Sequence, residues 1–130
     1  MRKEGTLVYL IDDDQSVRRA LQRLLRAKGF DVNSFSSAEE FLQSGKLAQR
    51  ACIILDIRMP GLTGFELQEK LASMGVRIPV IAISAFDDKE TRERARELGA
   101  TSFFGKPVDG QALIEAIHWA MDRWTKKSLT

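Results

Sequence analysis

Five short apolar runs alternate with longer stretches of helical period, and this alternation limits the fold more than any other feature of the chain. Leu7–Ile11, Asp31–Phe35, Cys52–Asp56, Pro79–Ser84 and Thr101–Phe104 have the length and composition of strands. Cys52–Asp56 and Pro79–Ser84 stay apolar up to their last residue, the pattern of a strand covered on both faces. Between the runs, Val17, Leu21, Leu24 and Leu25 recur at helical spacing, and Gly29 fits the stop of that helix. Ser37 with Glu40 three residues on has the form of a capping box, opening a helix that runs to about Ser44. Phe65–Met74 reads as a helix with Phe65, Leu67 and Leu71 on its core face. Lys89–Leu98 is a charged helix ended by Gly99. Asp109 caps a last helix carrying Leu113, Ile117, Ala120, Met121 and Trp124, after which the polar tail from Lys126 is expected to fray. Strand–helix repetition with short connections means βαβ units, and hence a parallel sheet with right-handed crossovers.

A chain of 130 residues has room for one domain of ordinary size. The longest apolar runs are too short to span a bilayer, and the start Met1–Gly5 has no signal-peptide pattern. One cysteine, Cys52, and one histidine, His118, exclude an internal disulfide and the usual zinc site, and point to a reducing compartment. Twenty basic against 18 acidic residues, a net +2, give no argument for nucleic acid or a membrane surface.

In an open parallel sheet, function sits beyond the carboxyl ends of the strands. Here the first strand ends in Asp12-Asp13-Asp14, the third in Asp56 and the fourth in Ser84, and Lys106-Pro107 follows the fifth. Three carboxylates within a few ångströms repel by roughly a few kcal/mol per pair at intermediate dielectric, so they stay ionised together only beside a cation. Oxygen ligands without His or Cys select a hard ion, Mg²⁺ above all. A lysine and a hydroxyl facing the same point would hold an anion. Anion, cation and acceptor carboxylate together suggest phosphoryl transfer to Asp56.

With Leu10–Asp14, Ile54–Gly61, Ile83-Ser84-Ala85 and Lys106-Pro107 in order and at matching spacing, the chain resembles the receiver domains of two-component response regulators, the CheY-like family. It is most similar to FixJ-type receivers in Asp12–Arg18, Ser37–Leu42 and Asp56–Gly64. The resemblance covers Leu7 to Trp124 and makes residues 1–130 a single receiver. It implies a doubly wound (βα)5 sandwich with strand order 2-1-3-4-5. It also implies that Asp56 accepts a phosphoryl group from a sensor histidine kinase. Asp13 would bind Mg²⁺ directly, Asp12 through water and Arg58 through its carbonyl, with Mn²⁺ as a substitute. Lys106, in a cis peptide with Pro107, would pair with the phosphoryl group. Ser84 and Phe103 would be the switch pair, and Arg58 and Phe86 would tune how long the acyl phosphate lasts. The chain would be a cytoplasmic switch with self-catalysed phosphorylation and dephosphorylation, not a turnover enzyme. Its partners would be the kinase, an effector or fused output domain on the face of the last two helices and last strand, and a second copy on phosphorylation. Neither nucleic acid nor membrane is an expected direct partner.

Val108 after Lys-Pro, Gly105 before it and a hydroxyl-free Phe103 depart from common patterns and bear on the partner surface. Simpler readings stand beside these. Asp14 fits a helix cap better than a ligand, Ser84 could be a plain strand-end hydroxyl, and Cys52 a small buried hydrophobe. Trp119 and Trp124, five apart on one helix, cannot both face the core, which leaves Trp119 exposed. The alternative function is a pseudo-receiver that binds a partner without phosphorylation. A haloacid-dehalogenase-type phosphohydrolase needs an acid where Arg58 stands, and a flavodoxin-type site needs hydroxyls where the three acids stand.

Overall fold

A computed structural model describes residues 6–45 and 47–129, with side chains through residue 124. Met1–Gly5, where no signal peptide was expected, lie outside the described residues. The order is β1 (Leu7–Ile11), α1 (Gln15–Ala27), β2 (Asp31–Phe35), α2 (Ala38–Gln43), β3 (Ala51–Asp56), α3 (Gly64–Ser73), β4 (Val80–Ser84), α4 (Lys89–Glu97), β5 (Ala100–Gly105) and α5 (Gly110–Leu129). All strand pairs are parallel and the sheet order is β2-β1-β3-β4-β5, as expected. No described helix is long and apolar enough to cross a membrane.

The period of two along each strand sorts the core into two layers. Val8, Leu10, Cys52, Ile54, Ile81 and Ile83 meet Leu21 and Leu25 of α1 and Leu113 and Ile117 of α5. Tyr9, Ile11, Ile53 and Leu55 meet Phe41 of α2 and Leu67 and Leu71 of α3. Each such aliphatic side chain contributes roughly 1.5–3 kcal/mol by leaving water, which is why β3 and β4 can be apolar throughout. Both are buried along their whole length.

Helix starts are fixed by side-chain caps. Asp14 Oδ1 accepts from Ser16 N and Val17 N, so Asp14 is a cap, as expected. Thr63 and Glu66 form a full capping box at α3. At α2, Ser37 Oγ accepts from Glu40 N, but Glu40 Oε1 accepts from Ser36 N, one residue earlier than a capping box requires.

Phe65 reaches only the edge of the core: it is half-buried against the cluster of Ile57, Ala82 and Ala95, with the Arg94 guanidinium 5.3 Å from its ring. The buried stripe of α3 is Gly64, Leu67, Gln68 and Leu71. α5 runs to Leu129, so its backbone is helical through the polar segment from Lys126. Lysine is a good helix former and no breaker intervenes.

Candidate functional site

The sheet's hydrogen-bond ladder runs past the strand ends and carries the site residues with it. Asp12 N donates to Phe35 O, Ile57 N to Ile83 O, and Lys106 N to Ser84 O at 2.8 Å. Asp12, Asp56, Ser84 and Lys106 are therefore set at one rim by backbone pairing across four strands.

Their side chains converge. Lys106 Nζ lies 2.9 Å from Asp12 Oδ2 and 3.4 Å from Asp56 Oδ2. Carboxylate oxygens of Asp12, Asp13 and Asp56 all lie within 4.8 Å of one another. Asp12 is 0% exposed and Asp56 1%, whereas Asp13 faces solvent. Burial first, and Asp12 beside it, push the Asp56 carboxyl from its ordinary 3.8 up to about 7, with Lys106 opposing. Burial works to lower the Lys106 ammonium, but Asp12 and Asp56 outweigh it and hold its pKa above the ordinary lysine value.

Asp12 Oδ1 is taken by the Asp14 N–H at 2.9 Å, and Asp12 Oδ2 meets only the Lys106 ammonium among the described residues. One lysine thus faces three acids. An oxygen-only donor set with surplus negative charge fits Mg²⁺ or Mn²⁺. The Arg58 N–H donates to Asp56 Oδ1 at 3.3 Å, which places the Arg58 backbone at the same point.

Ser84 is buried, and its Oγ accepts from Phe86 N at 3.0 Å. Phe86 is 53% exposed, with the Arg58 guanidinium 4.4 Å above its ring. Arg58 is two residues past Asp56 and Phe86 two past Ser84, so this stack stands at the rim of the site. Phe103 is half-buried against the cluster of Ile57, Ala82 and Ala95. Lys106-Pro107 is a cis peptide, as expected.

Two supporting residues, Gly64 and Glu39, went unread in the sequence. A Cβ on Gly64 would lie 2.6 Å from Ile57 Cα and 2.7 Å from Asp56 O, so only glycine lets α3 start against the backbone of Asp56. Glu39 of α2 accepts from Leu62 N at 3.0 Å and fixes the loop after Asp56. Gly105 leaves its space to Asp87, whose Oδ2 would lie 2.8 Å from a Cβ there, so this departure is filled by the loop after β4. Glycines in a Pro-Gly loop read as turn residues, and nothing local shows a backbone contact across the loop.

A family model described as the response regulator receiver domain matches residues 8–118. The chain belongs to the response regulator receiver family. Such receivers are signalling switches of two-component systems. The chain is 39% identical over 121 residues to nodulation protein W of Bradyrhizobium diazoefficiens, covering 93% of this chain and 53% of that protein. It is 42% identical over 122 residues to response regulator protein TmoT of Ectopseudomonas mendocina, covering 93% and 55%. The FixJ-N crystal structure superposes with a TM-score of 0.84 at 33% identity, covering 92% of this receiver and 95% of that chain. The chain spans about half the length of the curated relatives it matches.

Proposed function

We propose that this receiver is switched by phosphorylation of Asp56. The observation that supports it best is the single ammonium of Lys106 shared by two buried carboxylates, Asp12 and Asp56, at one end of the sheet. An Asp56 oxygen attacks the phosphorus of a phosphohistidine on a sensor kinase, an O–P bond forms, the N–P bond breaks and the histidine nitrogen leaves with its electron pair. Asp12, Asp13, Asp56 and the Arg58 carbonyl would hold Mg²⁺, or Mn²⁺ in its place, which supplies positive charge to the oxygens of the transferring group. Lys106 moves its pairing from Asp12 toward the new phosphoryl oxygens. Ser84 gives up the Phe86 N–H and donates its hydroxyl proton to the same group. Phe103 follows by burying its ring under α4. Arg58 and Phe86 limit the approach of water to the acyl phosphate and so set its lifetime. Hydrolysis returns the carboxylate without a separate phosphatase site.

The phosphoryl group adds about −1.5 to −2 charge, which biases a two-state equilibrium of the α4–β5–α5 face. That face meets an effector, a fused output domain or a second copy, and direct nucleic-acid contact is not its task. The setting is the cytoplasm, where a kinase charged from ATP can reach Asp56. Intact mass after incubation with Mg²⁺ and acetyl phosphate tests the reading. One phosphoryl adduct is expected, lost with EDTA and lost in Asp56→Asn. A folded chain with no adduct overturns it in favour of a partner-binding pseudo-receiver.

A further inference from the structure

Asp12 leaves the sheet with a carbonyl that the ladder does not use. In a parallel pair the N–H and C=O of one residue face the same neighbouring strand. The Asp12 N–H bonds to Phe35 O beside β2, so the donor next in line for Asp12 O is the Ser37 N–H. β2 ends at Phe35 and Ser37 caps α2, and among the described residues no ladder bond reaches Asp12 O. A side chain takes the place: Arg18 Nη1 donates to Asp12 O at 2.8 Å. A bond from a guanidinium is charge-assisted and roughly twice as strong as a neutral one. Arg18 is half-buried and lies one turn into α1, and the phosphoryl chemistry above does not use it.

The bond closes a ring around the acids of the turn. Asp14 N donates to Asp12 Oδ1 at 2.9 Å. Asp14 Oδ1 in turn accepts from Ser16 N and Val17 N and holds the start of α1. The Arg18 N–H donates to Asp14 O at 3.0 Å, and the Arg18 guanidinium reaches back to Asp12 O. Asp12 and Asp14 are thus both fastened to α1, one on each side of Asp13. Asp13 itself is exposed, so its direction is set by the backbone of this turn. Asp12 is 0% exposed. Without the guanidinium its carbonyl is a buried acceptor with no donor, and the turn is joined to α1 through Asp14 alone.

We propose that Arg18 is a positioning residue of the metal site: by holding the Asp12 carbonyl it sets the turn that brings the Asp13 carboxylate within reach of an ion shared with Asp12 and Asp56. This role rests on the reading above, in which Asp56 is a Mg²⁺-dependent acceptor. Outer groups that orient metal ligands typically change affinity by about 10–100-fold. Charge alone gives the opposite sign, because deleting a cation beside three acids should tighten Mg²⁺ binding.

Mg²⁺ titration of the ¹⁵N-labelled full chain, followed at the Asp13 and Asp14 amides, reads the affinity without any phosphoryl chemistry. Wild type should saturate, and Arg18→Gln should bind Mg²⁺ about tenfold more weakly. Arg18→Lys keeps the charge but ends one bond short of the guanidinium nitrogen, so it should fall between the two. The Mg²⁺ needed for half-maximal phosphorylation by acetyl phosphate should rise in step, while the rate at saturating Mg²⁺ changes little. A purely structural role would lower the urea midpoint and leave the Mg²⁺ affinity of the folded variants at the wild-type value, which overturns the proposal. Tighter binding in Arg18→Gln assigns the guanidinium as a countercharge and overturns it equally. Should Arg18→Gln not fold, Arg18→Lys decides alone, and a wild-type affinity there overturns the proposal. A wild-type chain that shows no Mg²⁺ titration at all defeats the metal reading itself, and the role of Arg18 with it.

Discussion

Lys106 lies closer to Asp12, at 2.9 Å, than to Asp56, at 3.4 Å. The one ammonium is therefore committed mainly to an acid that is not the proposed acceptor. Asp12 is fully buried, and removing its partner leaves an uncompensated charge. Lys106→Met should cost about 3 kcal/mol of stability without divalent ions, by the usual cost of breaking a buried pair. Mg²⁺ should restore much of it by replacing the missing charge. Urea unfolding with and without Mg²⁺ measures both, and a variant as stable as wild type in EDTA would show that the pair contributes little.

The raised Asp56 carboxyl gives stability a definite pH dependence. Its folded pKa of about 7 stands above the ordinary 3.8, so the folded chain holds a proton that the unfolded chain has released between those values. Stability from this group is full below about pH 4 and is lost as pH rises through 7. Asp56→Asn cannot lose that proton. It should be more stable than wild type by about 4 kcal/mol at pH 8 without metal, and the gap should close toward pH 4. Denaturation midpoints across that range test it, and a gap independent of pH would contradict it.

Gly64 and Gly75 separate two ways in which glycine is needed. Gly64→Ala puts a methyl against the backbone of Ile57 and Asp56, which cannot move without shifting the site. It should cost at least about 2–3 kcal/mol and slow Asp56 phosphorylation. Gly75 has φ +76° with nothing near its Cβ position, so Gly75→Ala should cost only about 1 kcal/mol and leave phosphorylation alone. Equal losses in the two variants would refute the close-contact argument.

The Arg58–Phe86 stack is expected to slow hydrolysis of the acyl phosphate. Arg58→Ala and Phe86→Ala should each speed its loss several-fold, and the double variant should do little more than either, since each single change already breaks the stack. Decay of the phosphorylated mass peak gives the rates. Multiplicative effects would mean that the two side chains act separately.

The site was legible because its residues end strands, and strand ends can be found from apolar runs alone. Asp12, Asp56 and Lys106 meet, and Ser84 stands beside them, because a parallel sheet puts those ends on one rim. The strand order and the individual roles came from the family resemblance and not from the runs. On α3 the reading of Leu67 and Leu71 holds and Phe65 reaches only the core's edge, against Ile57, Ala82 and Ala95, while the helical spacing of buried positions 64, 67, 68 and 71 also brings in the polar Gln68. Period outweighed hydrophobicity there. Glu39 and Gly64 act through contacts across a loop, which no local pattern reports.

Three acids share one pocket, so the most direct test asks which of them carries the phosphoryl group. Borohydride reduces an aspartyl phosphate to homoserine, and peptide mass mapping then locates the converted residue. Conversion at Asp56, with Asp12 and Asp13 intact, is the predicted result. Conversion at Asp12 or Asp13, or none in a chain that has gained a phosphoryl mass, would contradict it.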